Sequence, residues 1–262
     1  MTAGPRLGML WPVIRPLLFG LLALALCAPA GGCSGGTETG NPPFQAELSY
    51  TAYSSAPSLI AVRERGSRAV VDNAWLDLDT VALIRAGSCA LAKPAERPVP
   101  ALGIGDHASG QQHSTRFTLA AGEYCALELP FVLARHDELQ SDAPLDLEQH
   151  SIMLAGTLAD GTPFSLLSAV TPRVRLVADA GSFEITEKDA QTLIAFDVAH
   201  WLAALNWDKA VRVDGTIRIS ANDNPTLLAQ FEANLASGIA LYRDADGDGQ
   251  LDELPVRLAH GE

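Results

Sequence analysis

Ile152-Met153-Leu154-Ala155-Gly156-Thr157-Leu158-Ala159-Asp160-Gly161-Thr162-Pro163-Phe164-Ser165-Leu166 is the stretch that sets the fold class. Ile152, Leu154 and Leu158 approach Asp160-Gly161, and Phe164 and Leu166 leave it. Successive strand side chains point to opposite faces, so apolar residues at a period of two mark a half-buried strand. An Asp-Gly pair between two such runs predicts a hairpin, because a type I′ turn needs positive φ.

The same period extends outward in both directions. Leu48, Tyr50 and Ala52 alternate with Glu47, Ser49 and Thr51. Leu76 and Leu78 alternate with Asp77 and Asp79, which places both acids toward solvent. The apolar set then shifts to Val81 and Leu83, a change of face that predicts a β-bulge. Phe117 and Leu119 lead through the Ala121-Gly122 turn to Cys125, Leu127 and Leu129. Val174 with Leu176, Phe183 with Ile185, Leu193–Val198 and Val211–Ile219 complete the strand set. Short strands separated by turn residues predict an all-β fold, an immunoglobulin-like or related β-sandwich.

One or two short helices are expected near the C-terminus. Val198–Leu205 is rich in helix formers. Asn224 is placed to N-cap a second helix, with Pro225 at its first position and Gly238 closing its end. Its Leu227, Leu228, Phe231 and Leu235 fall at helical spacing and form a core stripe. The polar stretches 90–114 and 136–150 read as loops.

The N-terminus carries an address. Arg6 and Arg15 precede an apolar run from Leu17 to Leu26, followed by Ala30-Gly31-Gly32-Cys33. Basic, then apolar, then small is the layout of a secretory leader, and small residues before a cysteine suit lipoprotein processing with a diacylated Cys33. The run is too short for the roughly 20 residues of a bilayer-spanning helix. Plain secretion, with cleavage after Ala28-Pro29-Ala30, is the rival reading. The organisation expected is a signal peptide over 1–32, a polar tether over 33–45, and a sandwich over 46–262 ending in an acidic loop at 244–252.

A formal net charge of −13 argues against nucleic acid as a partner. Of four cysteines, Cys27 leaves with the leader and Cys33 takes the lipid, leaving Cys89 and Cys125 to pair in an oxidising compartment.

Asp244-Ala245-Asp246-Gly247-Asp248-Gly249-Gln250-Leu251-Asp252 is the one segment with site chemistry. Calcium takes several oxygen ligands from a tightly turning backbone. Asp244, Asp246 and Asp248 stand at positions 1, 3 and 5, and Gly249 at the sharp turn. Gln250 would lend its main-chain carbonyl, Leu251 would tuck against the core, and Asp252 would bind directly or through water. Pro255 replaces the bidentate Glu of an EF-hand at position 12. The expectation is therefore a structural calcium site of the extracellular kind, with affinity on the order of 10⁻⁴–10⁻³ M.

Other candidates read differently. Asp106-His107 with His113, and His136-Asp137-Glu138, lie in polar stretches and lack a spaced metal-ligand set, so they read as solvated loops. His200 reads as a satisfied helix residue. No nucleophile elbow, P-loop or dinucleotide fingerprint is present. Trp75, Trp201 and Trp207 would form a sugar platform only if exposed; buried aromatics are the commoner fate.

The spacer Gly36-Thr37-Glu38-Thr39-Gly40-Asn41-Pro42, the run Trp75-Leu76-Asp77-Leu78-Asp79-Thr80-Val81, the turn Ala121-Gly122-Glu123-Tyr124, the strand Ile194-Ala195-Phe196-Asp197-Val198 and the terminal acidic loop together resemble a family of bacterial envelope lipoproteins with a β-sandwich domain of unknown function. The resemblance implies a cell-envelope location, outer-membrane anchored and facing the periplasm or the surface, and offers no established activity. The function expected is a lipid-anchored, calcium-stabilised structural or binding module without catalysis. Its partners would be the membrane, through the lipid, and an envelope protein or glycan. A glycan- or peptide-recognition module, or a hydrolase with an unfamiliar site, is the alternative.

Overall fold

The computed structural model describes residues 42–64, 66–139 and 141–262; the leader, Cys33 and the tether up to residue 41 lie outside them. The described residues form one compact unit. Along it run β1 (Pro43–Tyr53), β2 (Ile60–Val62), β3 (Ala69–Leu78), β4 (Val81–Arg85), β5 (Glu96–Val99), β6 (Gly103–Asp106), β7 (His113–Ala120), β8 (Gly122–Pro130), β9 (Ile152–Leu158), β10 (Pro163–Ser168), β11 (Arg173–Ala178), β12 (Phe183–Ile185) and β13 (Gln191–Asp197). There follow α1 (Val198–Ala203), β14 (Arg212–Val213), β15 (Thr216–Ile219), α2 (Pro225–Ala233), β16 (Ile239–Arg243) and β17 (Arg257–Gly261).

The strands form two sheets. The larger runs β5-β4-β8-β11-β17-β16-β13-β1-β7, with β12 on β8; the smaller runs β14-β15-β10-β9-β3-β2, with β6 on β3. Most pairs are antiparallel, but β1 lies parallel to β13, from Glu47 beside Gln191 to Tyr53 beside Asp197. Alternate residues of both sheets meet in one core, in which Leu48, Tyr50, Leu76, Leu127, Leu154, Leu166, Ile194 and Phe196 are all buried. The chain is an all-β sandwich, as its period-two pattern predicts. It carries more strands than the roughly seven to nine of an immunoglobulin domain, and so is a related sandwich.

The Asp160-Gly161 hairpin joins β9 to β10, with Leu154 opposite Leu166. Its turn differs from the expected type: Gly161 has φ +81°, whereas Asp160 is not among the positive-φ residues. The amide of Gly161 donates to the Leu158 carbonyl at 2.9 Å, and that of Leu158 to Thr162 at 2.8 Å. That is a three-residue loop with glycine in the left-handed position.

The face change after Leu78 is not a bulge. β3 belongs to the smaller sheet and β4 to the larger, so exposed Asp79 and Thr80 carry the chain from one layer to the other. Register shifts occur instead at Val71/Asn73, Ile84/Arg85 and Leu241/Tyr242. The stretch 90–114 contains β5 and β6 and the start of β7, while 136–150 is a loop with a single turn of 3₁₀ helix at Leu145–Leu147. Strand β1 begins at Pro43, paired with Ala120, inside the segment expected to be tether.

The two helices close one end of the core. Asp197 caps α1, its Oδ1 accepting the amides of Ala199 at 3.1 Å and His200 at 3.2 Å. Leu227, Leu228, Phe231 and Leu235 are buried, as the stripe predicts. Trp201 donates its Nε1–H to the Leu235 carbonyl at 2.9 Å and meets Phe231 edge-on. Asn224 precedes α2 but does not cap it with its side chain, which bonds the Val211 amide and the Val211 and Arg218 carbonyls instead. Among the described residues no helix is long and apolar enough to cross a membrane.

Candidate metal centre

The acidic loop connects β16 to β17, neighbours in the larger sheet. Carboxylate oxygens of Asp244, Asp246 and Asp248 lie within 4.8 Å of one another. Three nested side-chain turns build this geometry. Asp244 accepts the Gly247 amide at 2.9 Å and the Gly249 amide at 3.1 Å. Asp246 accepts the Asp248 amide at 3.3 Å, and Asp248 accepts the Gln250 amide at 2.7 Å. Short acidic side chains favour such turns because they reach their own backbone.

Asp244 is buried, whereas Asp246 and Asp248 are exposed. Burial raises the Asp244 carboxyl above its ordinary range; the Gly249 and Gly247 amides oppose the shift, and the charges of Asp248 and Asp246 add to it. The loop therefore holds like charges in close quarters, an arrangement that a divalent cation would neutralise. Gly249 has φ +72°, and a Cβ there would stand 2.8 Å from Gln112 Cγ. The left-handed turn favours glycine, while the exposed Gln112 side chain could move aside for a Cβ.

Gln250 contributes its amide to the loop, and its side chain is exposed. Asp252 is half-buried and is not part of the carboxylate triad. Leu251 packs as expected, against a cluster of Leu193, Ala195, Ala240 and Tyr242 on the outer face of the sheet.

Cys89 and Cys125 form a disulfide with Cα atoms 6.3 Å apart, inside the range a bridge spans. It ties the turn after β4 to β8.

The aromatic candidates separate. Trp201 is fully buried and Trp75 is 7 % exposed, so neither offers a platform. Trp207 is half-buried, lies tilted against Phe164 with ring centres 5.2 Å apart, and lines a cavity of about 540 Å³ with Leu59, Arg68 and Leu205.

The histidines also separate, and Asp106-His107 is not a solvated loop. Asp106 is buried and accepts the amides of Ala74 at 2.8 Å and Ala108 at 3.1 Å, and it pairs with Arg63. His107 is buried between Tyr50, Phe196 and His113. His136 is exposed beside Glu148. His200 meets Ser237 Oγ at 2.9 Å, and His260 meets Asp179 at 2.6 Å. His107 and His113 lie together, ring centres 5.0 Å apart, with His113 Nε2 3.0 Å from the Asp106 carbonyl, whereas His136, His200 and His260 each stand in a separate pair.

Asp77 is the residue whose environment sequence reading misplaces. It is 3 % exposed, not solvent-facing. The loop after β8 folds over the outer face of β3, packing Ala134, Leu139, Ala143 and Leu147 around Trp75. A period of two along one strand shows which residues share a face, but not that a distant loop will cover it.

No family model and no curated protein matches the chain. Among solved structures, MbnP from Methylosinus trichosporium is similar at 12 % identity with a TM-score of 0.42, over 84 % of this chain and 99 % of that one.

Proposed function

We propose that this chain is a lipid-anchored module of the bacterial cell envelope, structural or ligand-binding rather than catalytic, whose acidic hairpin is closed by calcium. The observation that carries the metal reading is the convergence of Asp244, Asp246 and Asp248 within 4.8 Å, on a loop that already turns as a calcium loop must. The site joins two adjacent strands of the larger sheet, so an ion there would stabilise the sandwich. The leader ending at Ala30-Gly31-Gly32-Cys33 and the Cys89–Cys125 bridge support the envelope reading.

The test is thermal melting of the full chain in detergent, with chelator and with about 10 mM calcium. For an affinity of 10⁻⁴–10⁻³ M, linkage gives about 1–3 kcal/mol and a rise of a few degrees. The Asp246→Asn/Asp248→Asn double variant should lose the rise. An unchanged wild-type melting curve would overturn the calcium half. Mass spectrometry of the native N-terminus tests the anchor: a diacylated Cys33 is expected, and an unmodified or uncleaved terminus would overturn it.

A second reading, glycan or peptide recognition, is favoured by Trp207 at its cavity. Quenching of tryptophan fluorescence by an oligosaccharide, lost in Trp207→Ala, would support it.

A further inference from the structure

We infer that His107 and His113 hold a transition-metal ion of the zinc type at the seam between the two sheets. This is a second metal site, independent of the acidic hairpin and of the calcium reading.

The strand register brings the rings together. Tyr50 on β1 lies directly opposite His113 on β7, so their side chains share one face. His107, between β6 and β7, is fixed from both layers. Its amide donates to the Ala74 carbonyl of β3 at 2.9 Å, and its carbonyl accepts from Ala52 of β1 at 2.9 Å. Its imidazole stands 5.0 Å from that of His113 and 6.0 Å from the Tyr50 ring, centre to centre. At Zn–N distances of about 2.0–2.1 Å, two imidazoles on one tetrahedral ion keep their ring centres roughly 5 Å apart.

The nitrogens are uncommitted. His107 is 2 % exposed, and neither of its ring nitrogens has a hydrogen-bond partner of normal geometry. His113 Nε2 lies 3.0 Å from the Asp106 carbonyl, with Ser109 Oγ 3.3 Å from the same nitrogen. A carbonyl only accepts, so Nε2 carries the proton and Nδ1 presents a bare lone pair. Metal-bound histidines are held in this way, the far nitrogen donating to a backbone carbonyl that fixes ring and tautomer. Asp106 is itself immobilised, its carboxylate held by the Ala74 and Ala108 amides and by Arg63. Gly105 leaves the two rings a common space. A Cβ there would stand 3.0 Å from His113 Nδ1 and 3.5 Å from His107 Cε1, the carbon between that ring's two nitrogens.

A buried imidazole without partners is costly, and an ion between the two rings recovers that cost. Such an ion is enclosed by its own ligands and needs no solvent-filled cavity; half-buried His113 gives it access. Imidazole nitrogens select zinc-type ions over calcium, which takes oxygens.

The test is calorimetric titration of the full chain with zinc in non-ionic detergent, in the Asp246→Asn/Asp248→Asn background so that the acidic loop takes no part. One saturable site per chain is expected, undisturbed by about 10 mM calcium, the concentration that fills weak extracellular sites. Nitrogen NMR of the imidazoles should show His113 Nδ1 and one His107 nitrogen shifting together. His113→Gln should weaken zinc at least about tenfold. Gly105→Ala, which crowds Nδ1 and removes no ligand, should weaken it too. His260→Gln, whose histidine pairs with Asp179, should leave it unchanged. Where both His113→Gln and Gly105→Ala prevent folding by circular dichroism, the imidazole shifts of the chain with both histidines decide. Absence of a saturable zinc site, unchanged binding in a folded His113→Gln or Gly105→Ala variant, loss in His260→Gln, or displacement by calcium overturns the assignment. Since this background lacks the acidic-loop site, failure here and failure of the calcium hairpin are separable.

Discussion

Asp244 reaches five residues ahead to Gly249, accepting its amide at 3.1 Å while its other oxygen holds Gly247 at 2.9 Å. One carboxylate thus shapes the loop from within, and the triad is organised by the chain itself. Asp244→Ala should cost about 1–3 kcal/mol even in chelator, because it orphans two amides, one on buried Gly249. Asp246→Ala and Asp248→Ala, which sit exposed, should stay within about 0.5 kcal/mol there. Urea denaturation of the three variants in chelator distinguishes them.

His107 should set an acid limb of stability. Burial first, then neighbouring His113, hold its imidazole down to about 3, and an approach to the Tyr50 main chain opposes this only in part. Neither ring nitrogen makes a hydrogen bond of normal geometry. A folded pKa below the ordinary 6.5 means the unfolded chain binds more protons in between. The contribution is therefore full above about pH 6.5 and is lost toward pH 3, at roughly 1.4 kcal/mol per pH unit. His107→Phe keeps a ring between Tyr50 and Phe196 and removes the proton site. In chelator, its urea midpoint should rise slightly at pH 7 and fall less steeply on acidification.

Asp77 should act with the opposite sign. Its folded pKa of about 6 lies above the ordinary 3.8, so its contribution is full below about pH 4 and is lost as pH rises through 6. Asp77→Asn should gain on the order of 1 kcal/mol at pH 7.5, less than the full shift implies because solvent screens its charged neighbours. Without this offset, the variant's acid limb between pH 4 and 6 should be steeper than wild type. Urea midpoints across that range report both effects.

The Cys89–Cys125 bridge closes a loop with a sequence separation of 36 residues. In the chain-entropy picture that is worth about 3–4 kcal/mol. The Cys89→Ser/Cys125→Ser double variant should melt lower by that amount, and reductant should lower the wild type to match it without affecting the variant.

Much of the fold is legible in the chain. Ile152–Leu166 declares its hairpin, Leu227 and Phe231 declare a packed helix face, and Leu251 declares its seat beside the acidic loop. What escapes is whatever depends on a partner distant in sequence. The face change at Asp79-Thr80 looks like a bulge within one strand, but it is a crossing between layers, and only sheet pairing distinguishes the two. Trp75 and Asp77 alternate as a wet face should, and they are covered by residues some sixty positions later. Asn224 has the chemistry of a cap, but nearby carbonyls compete for its amide group. The Asp244 triad was readable because all its parts are local.

The parallel seam between β1 and β13 governs how this molecule is made. Glu47 must find Gln191 before the larger sheet has its middle, and β16 and β17 come later still. Pairings this remote are slow, since loop closure precedes any reward from contact. A nascent chain therefore cannot complete its sheet piecemeal from the front. The β5-β4-β8-β11 block and the β13-β1-β7 block of the larger sheet are joined only through β16 and β17, so the sheet becomes continuous late in folding.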